Sequence, residues 1–173
     1  MQIFLIGFMG SGKSHTGRRL ANLLQRPFTD LDQVIVKRAG VDIPTIFAEQ
    51  GERYFRQLER DCLHTLTAPP KRVVACGGGT PCFFDNMAWM NQQGLTVYLR
   101  ADAELLAQRL LKGRATRPLL KGLSPEQLPA FITEKLAART PYYMRANVIY
   151  DQKEIQEDVA QALYHQFSNI IGH

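Results

Sequence analysis

Short apolar runs alternate along this chain with stretches whose apolar residues recur every three or four positions. Residues 3–6, 72–76, 95–99 and 147–150 read as buried strands, with 27–30 a shorter fifth. Between them lie helical patterns. Residues 13–24 gather Leu20, Leu23 and Leu24 on one side, and residues 103–111 repeat Leu105, Leu106 and Leu110. Residues 155–167 space Ile155, Val159, Leu163 and Phe167 four apart, as one helix face requires. Continuous apolar strands separated by helices predict a parallel sheet covered on both faces. Such sheets bind ligands beyond the carboxyl ends of their strands, so the strand-to-helix junctions are where chemistry is expected.

Two segments exceed a minimal sheet-and-helix unit. Residues 31–67 read as a mostly helical insertion between the second and third strands. Residues 112–126, KGRATRPLLKGLSPE, are basic and carry Pro118 and Pro125. A loop of that length in a compact domain serves as a lid or binding element; composition alone equally allows an unstructured surface connection.

Composition narrows the field. A chain of 173 residues fits one domain. With 45% hydrophobic and 21% charged residues it has ordinary globular character. The net charge of +5 would admit nucleic acid, but Lys and Arg are spread out rather than packed in runs. A small anionic substrate fits as well, and no nucleic-acid partner is expected. Cys62, Cys76 and Cys82 form neither a CxxC pair nor an even set, so a reduced, cytoplasmic protein is expected; it is also expected to be a monomer. No run approaches the roughly 18 apolar residues of a membrane span. The apolar start lacks the basic flank of a signal peptide.

The strongest motif follows the first strand. Gly7, Gly12, Lys13 and Ser14 satisfy G-x-x-x-x-G-K-[ST] between a predicted strand and a predicted helix. Glycines let the backbone curl with its N–H groups inward, and the helix adds its N-terminal donors and positive dipole end. Lys13 can reach the β- and γ-phosphates, and the Ser14 hydroxyl can ligate Mg²⁺. ATP with Mg²⁺ is therefore expected, with Gly10, Ser11, Gly12, Lys13, Ser14 and His15 as nucleotide contacts. No NKxD guanine motif is present. A motor or helicase would need far more chain. A small P-loop protein with a lid points to phosphoryl transfer onto a small molecule.

Further constellations suit an acceptor. Asp30 and Asp32, in FTDLD, offer one carboxylate for a Mg²⁺-bound water and one for an acceptor hydroxyl; on extended backbone they would share a face. The pair also reads as an N-cap followed by a solvated acid. Arg56 and Glu59, three apart in GERYFRQLE, can pair on one helical face. An arginine held by a neighbouring acid is a ready carboxylate clamp, or else an ordinary surface pair. Gly77, Gly78 and Gly79 end the third strand. Three glycines suit close ligand approach, or a flexible turn. Arg117 and Arg139 are candidate partners for phosphoryl and carboxylate groups, or solvated surface charges.

The ordered set GFMGSGKS, FTDLD, GERYFRQLE, ACGGGTP, TRPLL and RTPYY resembles the shikimate kinase family over nearly the whole chain. The resemblance implies a three-layer α/β/α P-loop fold with a five-stranded parallel sheet in the order 2-3-1-4-5. It also implies a substrate-binding insertion at 31–61 and a lid at 112–124. The implied activity is ATP-dependent phosphorylation of the shikimate 3-hydroxyl on the route to chorismate and the aromatic amino acids. The implied roles are Ser14 and Asp30 on the metal, Asp32 as base, and Arg56, Arg139 and Gly77–Gly79 on shikimate. Lys13 and Arg117 act on the transferring phosphoryl. An arginine stacks on adenine in this family: Arg109 takes that place if one extra residue is allowed before Arg117, and Arg114 competes for it. Two departures stand out: Cys76 replaces Thr or Ser, and His15 replaces a small hydroxyl residue. The competing readings are a related kinase of another small acceptor, such as gluconate or a nucleoside monophosphate, and an ATP-binding module that transfers nothing.

Overall fold

The computed structural model describes residues 1–112, 122–153 and 158–171. The chain runs β1 (Gln2–Ile6), α1 (Lys13–Leu23), β2 (Phe28–Asp30), α2 (Leu31–Ala39), α3 (Ile43–His64) and β3 (Val73–Ala75). It continues through α4 (Asn86–Gln93), β4 (Gly94–Arg100), α5 (Ala103–Lys112), α6 (Leu128–Tyr143), β5 (Val148–Asp151) and α7 (Val159–Ile171). The strands form one parallel sheet in the order β2-β3-β1-β4-β5. Among the described residues, no helix is long and apolar enough to cross a membrane.

Successive side chains point to opposite faces of a strand, so β1 contributes to two cores. Ile3 and Leu5, with Val97 and Leu99, face Leu20 of α1 and Val159, Leu163 and Phe167 of α7. Phe4 and Ile6, with Val74 and Tyr98, face the other way, onto Phe55 and Cys62 of α3, Leu106 and Leu110 of α5, and Ile132 and Tyr143 of α6. Both faces of β1 are therefore dry, which explains its unbroken apolar run. Each fully buried aliphatic side chain contributes on the order of 2 kcal/mol by leaving water.

The insertion is helical, as its pattern implied. Asp42 caps α3, its carboxylate accepting from the Thr45 N–H at 2.9 Å. Gly51 interrupts this helix at φ +80° and ψ 171°, a region essentially closed to other residues. Two helices were not expected. α4 is short, and α6 carries Pro129 near its start and Pro141 inside it. Those prolines argue against a helix, yet Pro129 sits where no intrahelical N–H is needed. Pro141 falls in the last turn. Residues 154–157, where the last helical pattern was expected to begin, lie outside the described residues.

Candidate active site

The phosphate side is the turn from β1 into α1. Phe8 and Ser11 are buried and pin the loop to the core. Between them the backbone turns at Gly10 with φ +83°, where a Cβ would press on the Leu110 side chain at 3.0 Å. The loop therefore demands glycine on two counts. Lys13 Nζ donates to Gly7 O at 2.8 Å and Phe8 O at 2.9 Å, which holds its ammonium over the loop. Gly12 starts α1 with no side-chain cap, and the first turn contains no acid. The N–H groups of the first turn and the positive dipole end of α1 thus suit an anion. His15 is exposed on the first turn.

Asp30 serves two elements. Its Oδ1 accepts from the Asp32 N–H at 3.1 Å and caps α2, while its Oδ2 accepts from the Ser14 hydroxyl at 2.7 Å. The shared-strand-face argument for Asp30 and Asp32 does not hold: Asp30 ends β2 and Asp32 lies in the first turn of α2. The cap reading is correct for Asp30, and the link to Ser14 coexists with it. A hydroxyl and a carboxylate at the foot of the loop fit Mg²⁺, which favours few protein oxygens together with water and phosphate. Among the described residues no cluster of three or more His, Cys, Asp or Glu competes as a metal cage.

Arg109 of α5 donates to Gln152 Oε1 at 2.8 Å, and Gln152 Nε2 donates to Ser11 O at 3.1 Å. Gln152 is buried just beyond β5, so it ties Arg109 to the phosphate loop. Nothing in the sequence pattern singled it out. Arg114, Arg117 and most of the expected lid lie outside the described residues.

The residues expected to hold an acceptor converge on the glycine triplet. Arg56 donates to Glu59 Oε2 at 2.9 Å, and the Thr80 hydroxyl donates to Glu59 Oε1 at 2.6 Å. Glu59 is only 1% exposed, so this is no surface pair. A Cβ on Gly79 would stand 2.6 Å from Arg56 Nη2. One on Gly78 would stand 3.2 Å from Arg139 Nη1 and 3.6 Å from both Gly7 O and Met9 N. One on Gly77 would meet Glu59 Oε1 at 3.0 Å and Asp32 Oδ1 at 3.3 Å. The triplet is therefore a tight junction of Asp32, Arg56, Glu59, Arg139 and the phosphate loop, not a loose turn. Arg139 sits within α6 rather than at a strand end. The buried Tyr143 hydroxyl, one turn further on, donates to Gly78 O and fixes the helix to the triplet.

Asp32 is accessible from the cleft, yet protein crowds it on most sides. That desolvation pushes its pKa up to about 6, the Asp30 and Glu59 carboxylates adding to the rise and Lys13 and Arg56 opposing it. Cys76, in contrast, belongs to the core. It is 3% exposed, its sulfur lies 3.7 Å from that of Met90, and burial pushes its thiol far up, so it stays protonated.

Known proteins share this arrangement of elements. The family model for shikimate kinase matches residues 9–168. The chain is 43% identical to the shikimate kinase of Parabacteroides distasonis, over 98% of this chain and 96% of that one. It is 41% identical to the shikimate kinase of Bacteroides fragilis, over 93% of each. Among solved structures, the shikimate kinase of Bacteroides thetaiotaomicron superposes with a TM-score of 0.91 at 36% identity, over 99% of this chain and 98% of that one. The shikimate kinase of Acinetobacter baumannii in complex with shikimate does so with a TM-score of 0.84 at 37% identity, over 99% and 95%. A match of this length at this identity, on the same fold, is decisive: the chain belongs to the shikimate kinase family.

Proposed function

We propose that the chain transfers the γ-phosphoryl group of ATP to the 3-hydroxyl of shikimate, giving shikimate 3-phosphate and ADP. One observation carries this reading: the glycine triplet brings two arginines and Asp32 against the backbone of the phosphate loop. A small hydroxylated acid seated on the triplet would face the nucleotide.

The roles are those the family resemblance implies, and the chemistry of each residue suits its part. Arg56 and Arg139 supply guanidinium forks for the shikimate carboxylate. The backbone groups of Gly77, Gly78 and Gly79 line the same seat, which a side chain would fill. Asp32 receives the 3-hydroxyl. A pKa near 6 leaves it mostly ionised at neutral pH and basic enough to take the proton as transfer proceeds. The triphosphate lies on the N–H groups of residues 10–15, with Lys13 between the β- and γ-phosphates. Arg109 meets the adenine, and Arg117 acts on the transferring phosphoryl. Ser14 and Asp30 hold Mg²⁺, which when bound neutralises charge across the phosphate oxygens. The reaction asks the protein for positioning and charge stabilisation more than for covalent chemistry.

Residues 31–61 serve as the acceptor-binding insertion and 112–124 as the lid that excludes water. The enzyme acts as a cytoplasmic monomer without a nucleic-acid partner; light scattering on that reading gives 19.6 kDa. The functional test is ADP release with Mg²⁺-ATP and shikimate, quinate or gluconate as acceptor. The expected result is a kcat/KM for shikimate at least about a hundredfold above gluconate, because unpaired polar groups penalise the wrong acceptor. Equal turnover with gluconate, or ADP release indifferent to any acceptor, would contradict it.

A further inference from the structure

The Arg56 guanidinium is gripped from several directions. Glu59 takes Nη1 at 2.9 Å. Glu52, largely exposed, meets Nε and Nη2 only at 3.4 Å. Gly79 closes on the group so tightly that a Cβ there would stand 2.7 Å from Nη1 and 2.9 Å from Cζ. The ring of Phe83 lies 4.0 Å from Cζ, closer than that of Phe55 at 5.0 Å. Gly79 and Phe83 flank one short 3₁₀ turn, Thr80–Cys82. That turn is itself held in place. The Thr80 hydroxyl donates to Glu59, and Asn86 Nδ2 donates to Thr80 O at 3.0 Å.

A carboxylate takes two parallel hydrogen bonds from arginine only when the two groups are coplanar. The single short bond to Glu59 would by itself let the guanidinium rotate about it. The long contacts to the exposed Glu52 add little restraint. An aromatic ring centred 4.0 Å from the guanidinium carbon restrains that freedom and keeps water from that side of the cation. We infer that Phe83 is a positioning residue for the acceptor carboxylate, its ring fixing the plane in which Arg56 presents its fork. The inference rests on the reading of Arg56 as a shikimate carboxylate partner.

The test measures KM for shikimate, KM for ATP, kcat and Tm in the wild type, F83L, F83Y, R56A and F83L/R56A. F83L keeps an apolar side chain but loses the π face. It is expected to raise KM for shikimate about fivefold, the size of a partly solvated aromatic–guanidinium contact, with kcat and KM for ATP within about twofold. F83Y restores the wild-type KM, and F83L adds nothing in the R56A background. If F83L lowers Tm sharply, F83M, unbranched and better able to fill an irregular gap but still without a π face, takes its place. A wild-type KM for shikimate in F83L while R56A is impaired overturns this inference alone. A loss that persists without Arg56, or that raises KM for ATP in step, also overturns it, since Phe83 would then only fill space. An unchanged KM for shikimate in R56A instead defeats the carboxylate reading of Arg56 itself.

Discussion

Replacing Gly79 with alanine separates the fold of this protein from its function. Gly79 has φ −90° and ψ −14°, which any residue adopts, so the backbone bears no strain. The added methyl instead falls 2.6 Å from Arg56 Nη2. Ordinary contact begins at 3.4 Å, so the guanidinium must retreat by about 0.8 Å (3.4 − 2.6). The group met is the far end of a long side chain, so it can do so without unfolding anything. The lost chain entropy of the unfolded state returns about 0.4–1 kcal/mol, against a weakened bond to Glu59. Net stability should stay within about 1 kcal/mol. Activity has no such compensation, because a displacement near 1 Å in a positioning group costs up to about a hundredfold. The expected outcome for G79A is a ten- to hundredfold fall in kcat/KM for shikimate, on the order of 1.4–2.7 kcal/mol, with KM for ATP nearly unchanged. Gly78→Ala offers an internal control. Its methyl lies 3.2 Å from Arg139 Nη1 and needs a shift of only about 0.2 Å (3.4 − 3.2), so its effect should be the milder. Steady-state kinetics with each substrate varied in turn, beside a thermal melt, checks both. A wild-type KM for shikimate in G79A would refute the reasoning, and so would a collapse of Tm.

Other perturbations report on other parts of the site. Asp32→Asn should lower kcat by about 10²–10⁴ and abolish an acid limb in kcat/KM centred near pH 6, as a pH–rate profile would reveal. The same raised pKa makes a stability statement. Between about pH 4 and 6 the folded state holds the Asp32 proton more tightly than the unfolded chain, so stability falls as pH rises through that window. Denaturant titrations at pH 4.5 and 7 should show this component missing in D32N. Gly51→Ala places a side chain at φ +80° and should cost about 1–3 kcal/mol of stability, read as a lower Tm. Lys13→Met loses the ammonium held over the loop and should cost about 3 kcal/mol of transition-state stabilisation, seen in kcat/KM for ATP.

Much of this site was legible in residue order because its signals are local. A strand, a glycine loop and Lys13–Ser14 need only neighbours along the chain to be read. The central strands were equally plain, since strands covered on both sheet faces are mostly apolar. What escaped depends on long-range meeting. Gln152 joins Arg109 to Ser11 across 43 and 141 residues, and no short window reveals that. Phe83 belongs to no sequence motif, being only an apolar residue shortly after Pro81. Helix α6 was hidden by its prolines, and with it the fact that Arg139 reaches the triplet from a helix. Asp30 looked ambiguous between cap and ligand because it is both a cap and a partner of Ser14.

The central claim is geometric: acceptor and nucleotide meet across the glycine triplet. A crystal structure of the protein with shikimate, ADP and Mg²⁺ tests it most directly. The account predicts the shikimate carboxylate between Arg56 and Arg139, its 3-hydroxyl against Asp32, and the ring on Gly77, Gly78 and Gly79. Shikimate bound with its carboxylate away from both arginines, or at a site that the triplet does not border, would contradict it.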